Sequence, residues 1–178
     1  MQSIAREDTE SISFRVNKAI LDKLKAEADE RMLSTNSLAI QIFSDYVAWH
    51  FAAQKAGFIA ITAKLVWRLL ENVEEGEIAR IAREFAKNGS KEVLLILRNE
   101  CSMESMLDVV ETWARVCGYT FRVVTKDAVT TYVIQHNMGR KWSILIRELL
   151  SQIYEDFGRP SPNFDISDNI VSYRIEQS

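Results

Sequence analysis

The side chains best suited to chemistry lie close together near the N-terminus. Ser11-Ile12-Ser13-Phe14-Arg15-Val16 alternates polar and apolar residues over six positions. As a strand, this period puts Ser11, Ser13 and Arg15 on one face and Ile12, Phe14 and Val16 on the other. An arginine on such a face can donate two hydrogen bonds to the O6 and N7 edge of guanine. Serine hydroxyls both donate and accept, so they adapt to several bases. A second group is Ser34-Thr35-Asn36-Ser37, where Ser34 is read as a helix N-cap. The free N–H groups of Thr35 and Asn36 at that helix start suit a phosphate, with the Ser34, Asn36 and Ser37 side chains beside them. Lys18 adds a positive charge. Each feature alone has a plainer reading: an amphipathic edge strand, or a cap with no ligand. Their conjunction, on a face with no acidic residue, favours the functional one.

The elements that must position these groups read as follows. Residues 1–10 form a polar, acidic arm. The strand Ser11–Val16 stands alone ahead of two helices, so its backbone groups call for a partner, and the simplest is the same strand of a second copy. Asn17 caps a first helix with Ile20, Leu21, Leu24, Ala28 and Met32 at helical spacing. After the break at Leu33-Ser34, a second helix carries Leu38, Ile42, Tyr46 and Trp49 as a stripe and runs to about Gln54, with Gly57 as a stop or hinge.

The rest of the chain has a different rhythm. One helix is expected over 60–72 and another, marked by Ile78, Ile81, Ala82 and Phe85, ending at Asn88-Gly89. The apolar run Val93 to Leu97 fits either a buried strand or a helical turn. Ser102 caps a helix closed by Gly118. Residues 119–125 and 129–136 form a hairpin turning at Lys126-Asp127. A strong helix follows Gly139 and ends near Gly158, where Pro160 and Pro162 forbid its continuation. Residues 164–166 and 170–175 form a last hairpin.

Composition bounds the function. The chain has 178 residues, 47% of them hydrophobic, 26% charged, with two prolines and six glycines. That is a globular composition with room for a small domain and a medium one. No window reads as a membrane span, and the first residues lack a secretion-signal core. Cys101 and Cys117 have no zinc-motif spacing and read as reduced thiols of a cytoplasmic protein. Net charge is −3. From Met1 to Val47 there are six Lys/Arg and eight Asp/Glu. Any nucleic-acid contact must therefore rest on local positive charge.

The segment Ile12 to Tyr46 resembles the ribbon-helix-helix (Arc/MetJ/CopG) family of DNA-binding proteins. Three blocks carry the likeness: Ser13-Phe14-Arg15-Val16, Ala19-Ile20-Leu21-Asp22-Lys23-Leu24, and Leu33-Ser34-Thr35-Asn36-Ser37. Met32 departs from it, since many members have glycine there. The resemblance implies a dimer whose swapped two-stranded ribbon enters the major groove of double-stranded DNA. It assigns base reading to Ser11, Ser13 and Arg15. The fold class expected is therefore α+β. It comprises a ribbon-helix-helix domain over 11–55 and, over 58–178, an α+β domain with antiparallel hairpins for effector binding or oligomerisation. That second domain is more distantly similar, at Trp49 and His136-Asn137-Met138-Gly139 with Trp142-Ser143, to extensions of archaeal regulators of this class. Its element order looks like small ligand-binding domains of the vinyl-reductase-like type.

No Gly-rich phosphate loop, nucleophile elbow or metal-ligand cluster is present, so neither an enzyme, a cofactor nor a metal is expected. His136 reads as part of a hydrogen-bonded turn, Cys117 as a buried small residue, and the aromatic set Trp113, Tyr119, Phe121, Tyr132 and Trp142 as core. The expected function is a homodimeric, prokaryotic transcription regulator or repressor, with pairing into a dimer of dimers and a small-molecule effector left open. The alternative is a protein-interaction module, such as an antitoxin or assembly factor, whose C-terminal half binds a partner protein.

Overall fold

The computed structural model describes residues 9–176, except for the side chain of Asn88. Most of the expected arm therefore lies outside the described residues. The chain divides into two compact units, 1–44 and 45–178.

The first unit holds helices α1 (Lys18–Glu30) and α2 (Thr35–Asp45). Asn17 caps α1, its Oδ1 accepting from the Ala19 N–H at 2.9 Å. Ser34 caps α2, its Oγ accepting from the Ser37 N–H at 2.9 Å. The expected ribbon-helix-helix with a two-stranded ribbon is not seen. Residues 9–17 form no strand, and the strands among the described residues are four in the second unit, paired with one another. Alternation of polar and apolar side chains is not sufficient for a strand, because the ladder needs a neighbour and no other described segment supplies one. The segment instead stays exposed, with Phe14 packed on Phe43 of α2 at 5.7 Å between ring centroids.

The turn between α1 and α2 is a Schellman motif. The Leu33 N–H donates to the Ala28 carbonyl at 2.8 Å and the Met32 N–H to the Asp29 carbonyl at 3.1 Å. This geometry places Met32 in the left-handed region, φ +55°, where glycine pays no Cβ penalty. The Met32 side chain is 93% exposed and contributes no packing in return.

The second unit begins where α2 passes into a π-helical turn, Tyr46–His50, and a short helix α3, Phe51–Ala53. Helix α4 spans Ala63–Glu71. Helix α5 spans Glu75–Arg98 without interruption. The stop expected at Asn88-Gly89 is therefore absent, and the apolar run Val93–Leu97 is its last turns. An isolated glycine weakens a helix by only about 1 kcal/mol, which a buried helix tolerates. Ala82, Ala86, Leu94 and Leu97 are all buried along it. The helix ends at Asn99 in the left-handed region, φ +54°. Ser102 then opens α6 (Met103–Val116) with a reciprocal capping box to Ser105.

Strands β1 (Thr120–Lys126) and β2 (Val129–Gln135) form a hairpin, α7 (Arg140–Asp156) follows, and β3 (Asn163–Ile166) and β4 (Ile170–Glu176) form a second. The sheet is antiparallel with order β1-β2-β4-β3. Period two puts Ile134, Val171 and Tyr173 on one face, where they are fully buried with Met106 and Val110 of α6 and Ile146, Leu150 and Tyr154 of α7. Tyr132 stacks on Tyr173 at 4.9 Å between centroids. The C-terminal half thus has the α+β class and the two hairpins expected of it.

Met32→Gly should raise stability by roughly 0.5–1 kcal/mol, because strain relieved at φ > 0 exceeds the added chain entropy. Urea midpoints of the two proteins at equal denaturant slope check this. A lower midpoint for the variant would refute the assignment of strain.

Candidate functional site

The structure places the residues singled out in the sequence as follows. Ser11, Ser13 and Arg15 lie exposed on the extended segment, and none has a hydrogen-bond or ion-pair partner among the described residues. They do not form the face of a paired ribbon. Lys18 is the first residue of α1 and is likewise unpaired. Arg31, by contrast, is tied to Glu27 at 2.5 Å.

At the start of α2 the cap holds as expected. Ser34 Oγ takes the Ser37 N–H and lies 2.8 Å from Ser37 Oγ. Both hydroxyls are thus engaged locally, while the N–H groups of Thr35 and Asn36 have no partner among the described residues. No acidic residue stands in the first turn of α1 or α2. The helix dipole and the two open N–H groups make the α2 N-terminus attractive to an anion.

In the second unit, His136 is at the centre of a hydrogen-bonded knot. It follows β2 directly and is only 2% exposed. Its Nδ1 accepts from the Met138 N–H at 3.2 Å, which leaves Nε2 to carry the proton. Nε2 lies 3.0 Å from Ser143 Oγ, and the Ser143 hydroxyl donates in turn to the Ser167 carbonyl at 2.7 Å. The His136 N–H donates to the Asn169 carbonyl at 2.9 Å. Asn169 Oδ1 accepts from the Gly139 N–H at 3.2 Å. One buried imidazole therefore joins the end of β2, the start of α7 and the β3–β4 turn. Burial pushes its pKa down to about 4, and the geometry agrees, since both ring nitrogens are matched to the neutral form. The turn role read from the sequence holds, and its long-range partners Ser143, Ser167 and Asn169 had no signal in local spacing.

Both cysteines are free and exposed. Cys117 is thus not the buried small residue expected from its place beside Gly118. Its thiol pKa is raised by partial desolvation, which lowers its reactivity. Among the described residues no group of three or more His, Cys, Asp and Glu side chains is placed to hold a metal. No helix among them is long and apolar enough to cross a membrane.

Compared with known proteins, the chain matches no family, no curated protein and no solved structure.

The His136 knot carries a pH signature. The unfolded imidazole takes up a proton near pH 6.5 and the folded one only near pH 4. Protons therefore bind preferentially to the unfolded chain between these values. The contribution is complete above pH 6.5 and is lost as pH falls toward 4, by roughly 3 kcal/mol in all. Urea unfolding of the parent and of His136→Asn across that window should show the variant losing less stability on acidification. Equal acid sensitivity in the two would remove His136 from the account.

Proposed function

We propose that this chain is a non-catalytic, homodimeric transcription regulator, whose N-terminal unit contacts double-stranded DNA and whose C-terminal unit senses a signal. One observation carries the reading. The first unit presents hydrogen-bond donors with no intramolecular use: the Arg15 guanidinium, the Ser11 and Ser13 hydroxyls, and the N–H groups of Thr35 and Asn36. The guanidinium matches a guanine edge, and open amides at a helix start match a phosphate oxygen. Lys18 supplies a further positive charge at the start of α1.

A second copy is the natural occupant of the apolar surface of this unit. Ala28 and Leu38 are its buried apolar residues, while Phe14, Ile20, Ile40, Ile42 and Phe43 are each between 43% and 59% exposed. A unit this small leaves most of its apolar residues uncovered, and association with a copy of itself would remove them from water. Two copies also double the single Arg15.

Charge balance favours one competing reading. From residue 9 to 44, Arg15, Lys18, Lys23, Lys25 and Arg31 oppose Glu10, Asp22, Glu27, Asp29 and Glu30. Such a neutral unit suits a protein-interaction module as well as a nucleic-acid binder. Purification of the chain with a stoichiometric second protein, and no retention on duplex DNA, selects that alternative.

Gel-shift titration of the purified chain tests the first reading. Arg15→Ala should lose about 1–3 kcal/mol of discrimination between a preferred duplex and its single-base variant. Thr35 and Asn36 act through backbone groups, so their side-chain truncation should change discrimination little. Equal discrimination by Arg15→Ala and the parent would contradict the assigned role.

A further inference from the structure

The second unit contains a cavity of about 270 Å³, walled by α5, α6 and α7. Protein interiors are close-packed and rarely leave room for more than a water molecule or two. Polar ties fix the helices around it. Arg83 of α5 bonds to Glu148 of α7 at 2.6 Å, and Arg98 of α5 to Thr112 of α6 at 3.0 Å. Phe58 and Phe85 line the cavity and are 37% and 60% exposed, so its wall reaches the surface at these rings.

The chemistry of the lining narrows what can enter. Its surface is almost wholly apolar, and the described residues that form it include no Lys, Arg, His, Asp or Glu. Ser90 and Trp142 line it by other atoms, because Ser90 Oγ and Trp142 Nε1 have essentially no accessible surface. A held water needs about two to four polar partners, and this surface is poor in them. An ion, nucleotide or sugar would lose its hydration there without replacement. Even one carbonyl or ring nitrogen would exchange its bond to water for apolar contact. A hydrocarbon loses no hydrogen bond and gains contact with the rings of Trp113 and Phe157. Size narrows the class further. A cavity of about 150 Å³ lined by Leu, Ile and Phe holds benzene, so one of about 270 Å³ suits roughly ten carbon atoms.

We propose that this cavity binds a compact aromatic hydrocarbon of roughly ten carbon atoms, held by apolar contact alone and selected against isosteres that carry a hydrogen-bonding atom. Shape and the absence of accessible polar partners set the specificity. The site rests on the regulator reading only in making this molecule its effector. Binding is measured without DNA, so failure of either idea leaves the other standing.

The test uses the full chain with naphthalene and with quinoline, which has the same shape but one ring nitrogen that accepts a hydrogen bond. Near neutral pH both are uncharged. Binding is read by calorimetric titration and by the thermal midpoint, which a ligand of the folded chain raises. Naphthalene should bind saturably, one molecule per chain, and raise the midpoint. Quinoline should bind at least about 10-fold more weakly, because its nitrogen leaves water for an apolar wall. Ala86→Phe adds a ring at a buried lining position and should weaken naphthalene at least about 10-fold. Leu149→Trp does the same from a half-buried position and replaces Ala86→Phe if that variant fails to fold. No saturable binding of naphthalene up to its solubility limit overturns the proposal, as does a smaller loss in a folded, filled variant. Quinoline binding within about 10-fold of naphthalene overturns the hydrocarbon class.

Discussion

The buried imidazole of His136 is the constraint on which the second unit depends. It sits where β2 ends and must be matched on both nitrogens, because an unmatched buried polar group costs more than a hydrogen bond returns. Met138 N–H and Ser143 Oγ supply those partners. Gly139, with φ +79°, lets the chain reverse into α7 at that point. Ser143 reaches the ring from the start of that helix. The helix start is thus pinned to the end of one hairpin and, through the Ser167 carbonyl, to the turn of the other. The direction of α7 across the sheet follows, and with it the face formed by Ile146, Leu150 and Tyr154.

Once α7 is fixed, polar clamps set the outer helices. Glu148 on α7 is 7% exposed, and a buried carboxylate needs charge-assisted partners. Arg83 of α5 supplies one at 2.6 Å and Arg147 the other at 2.8 Å. At the far end of α5, Arg98 bonds to Asp108 and to Thr112 of α6, and to the Ala48 carbonyl in the π-helical turn. These contacts hold three helices around a space that their side chains do not fill. The cavity is thus a product of where the polar groups tie the helices.

What the sequence disclosed follows from the range of the interactions involved. Asn17, Ser34 and Ser102 act within three residues of themselves, so their caps are readable from spacing. The two hairpins and α7 carry periods of two and 3.6 strong enough to be recognised. Gly89 misled because a glycine marks a helix end only when the chain needs positive φ, and buried neighbours hold α5 straight through it. Ser11–Val16 misled for the opposite reason: a period of two describes side chains, while a strand is defined by a ladder to a neighbour. The cavity left no trace, since its lining is scattered from Trp49 to Phe157 and each residue alone reads as core.

A small unit with unused donors and exposed apolar residues precedes a larger unit with an apolar cavity. The proposed regulation would require that the first unit read DNA as a symmetric pair, because one Arg15 and two serines specify too little alone. Selection of duplexes from a random pool by the purified full chain tests this most directly. The account predicts enrichment of a short inverted repeat, with half-sites related by two-fold symmetry. A pool that remains random after successive rounds would contradict it.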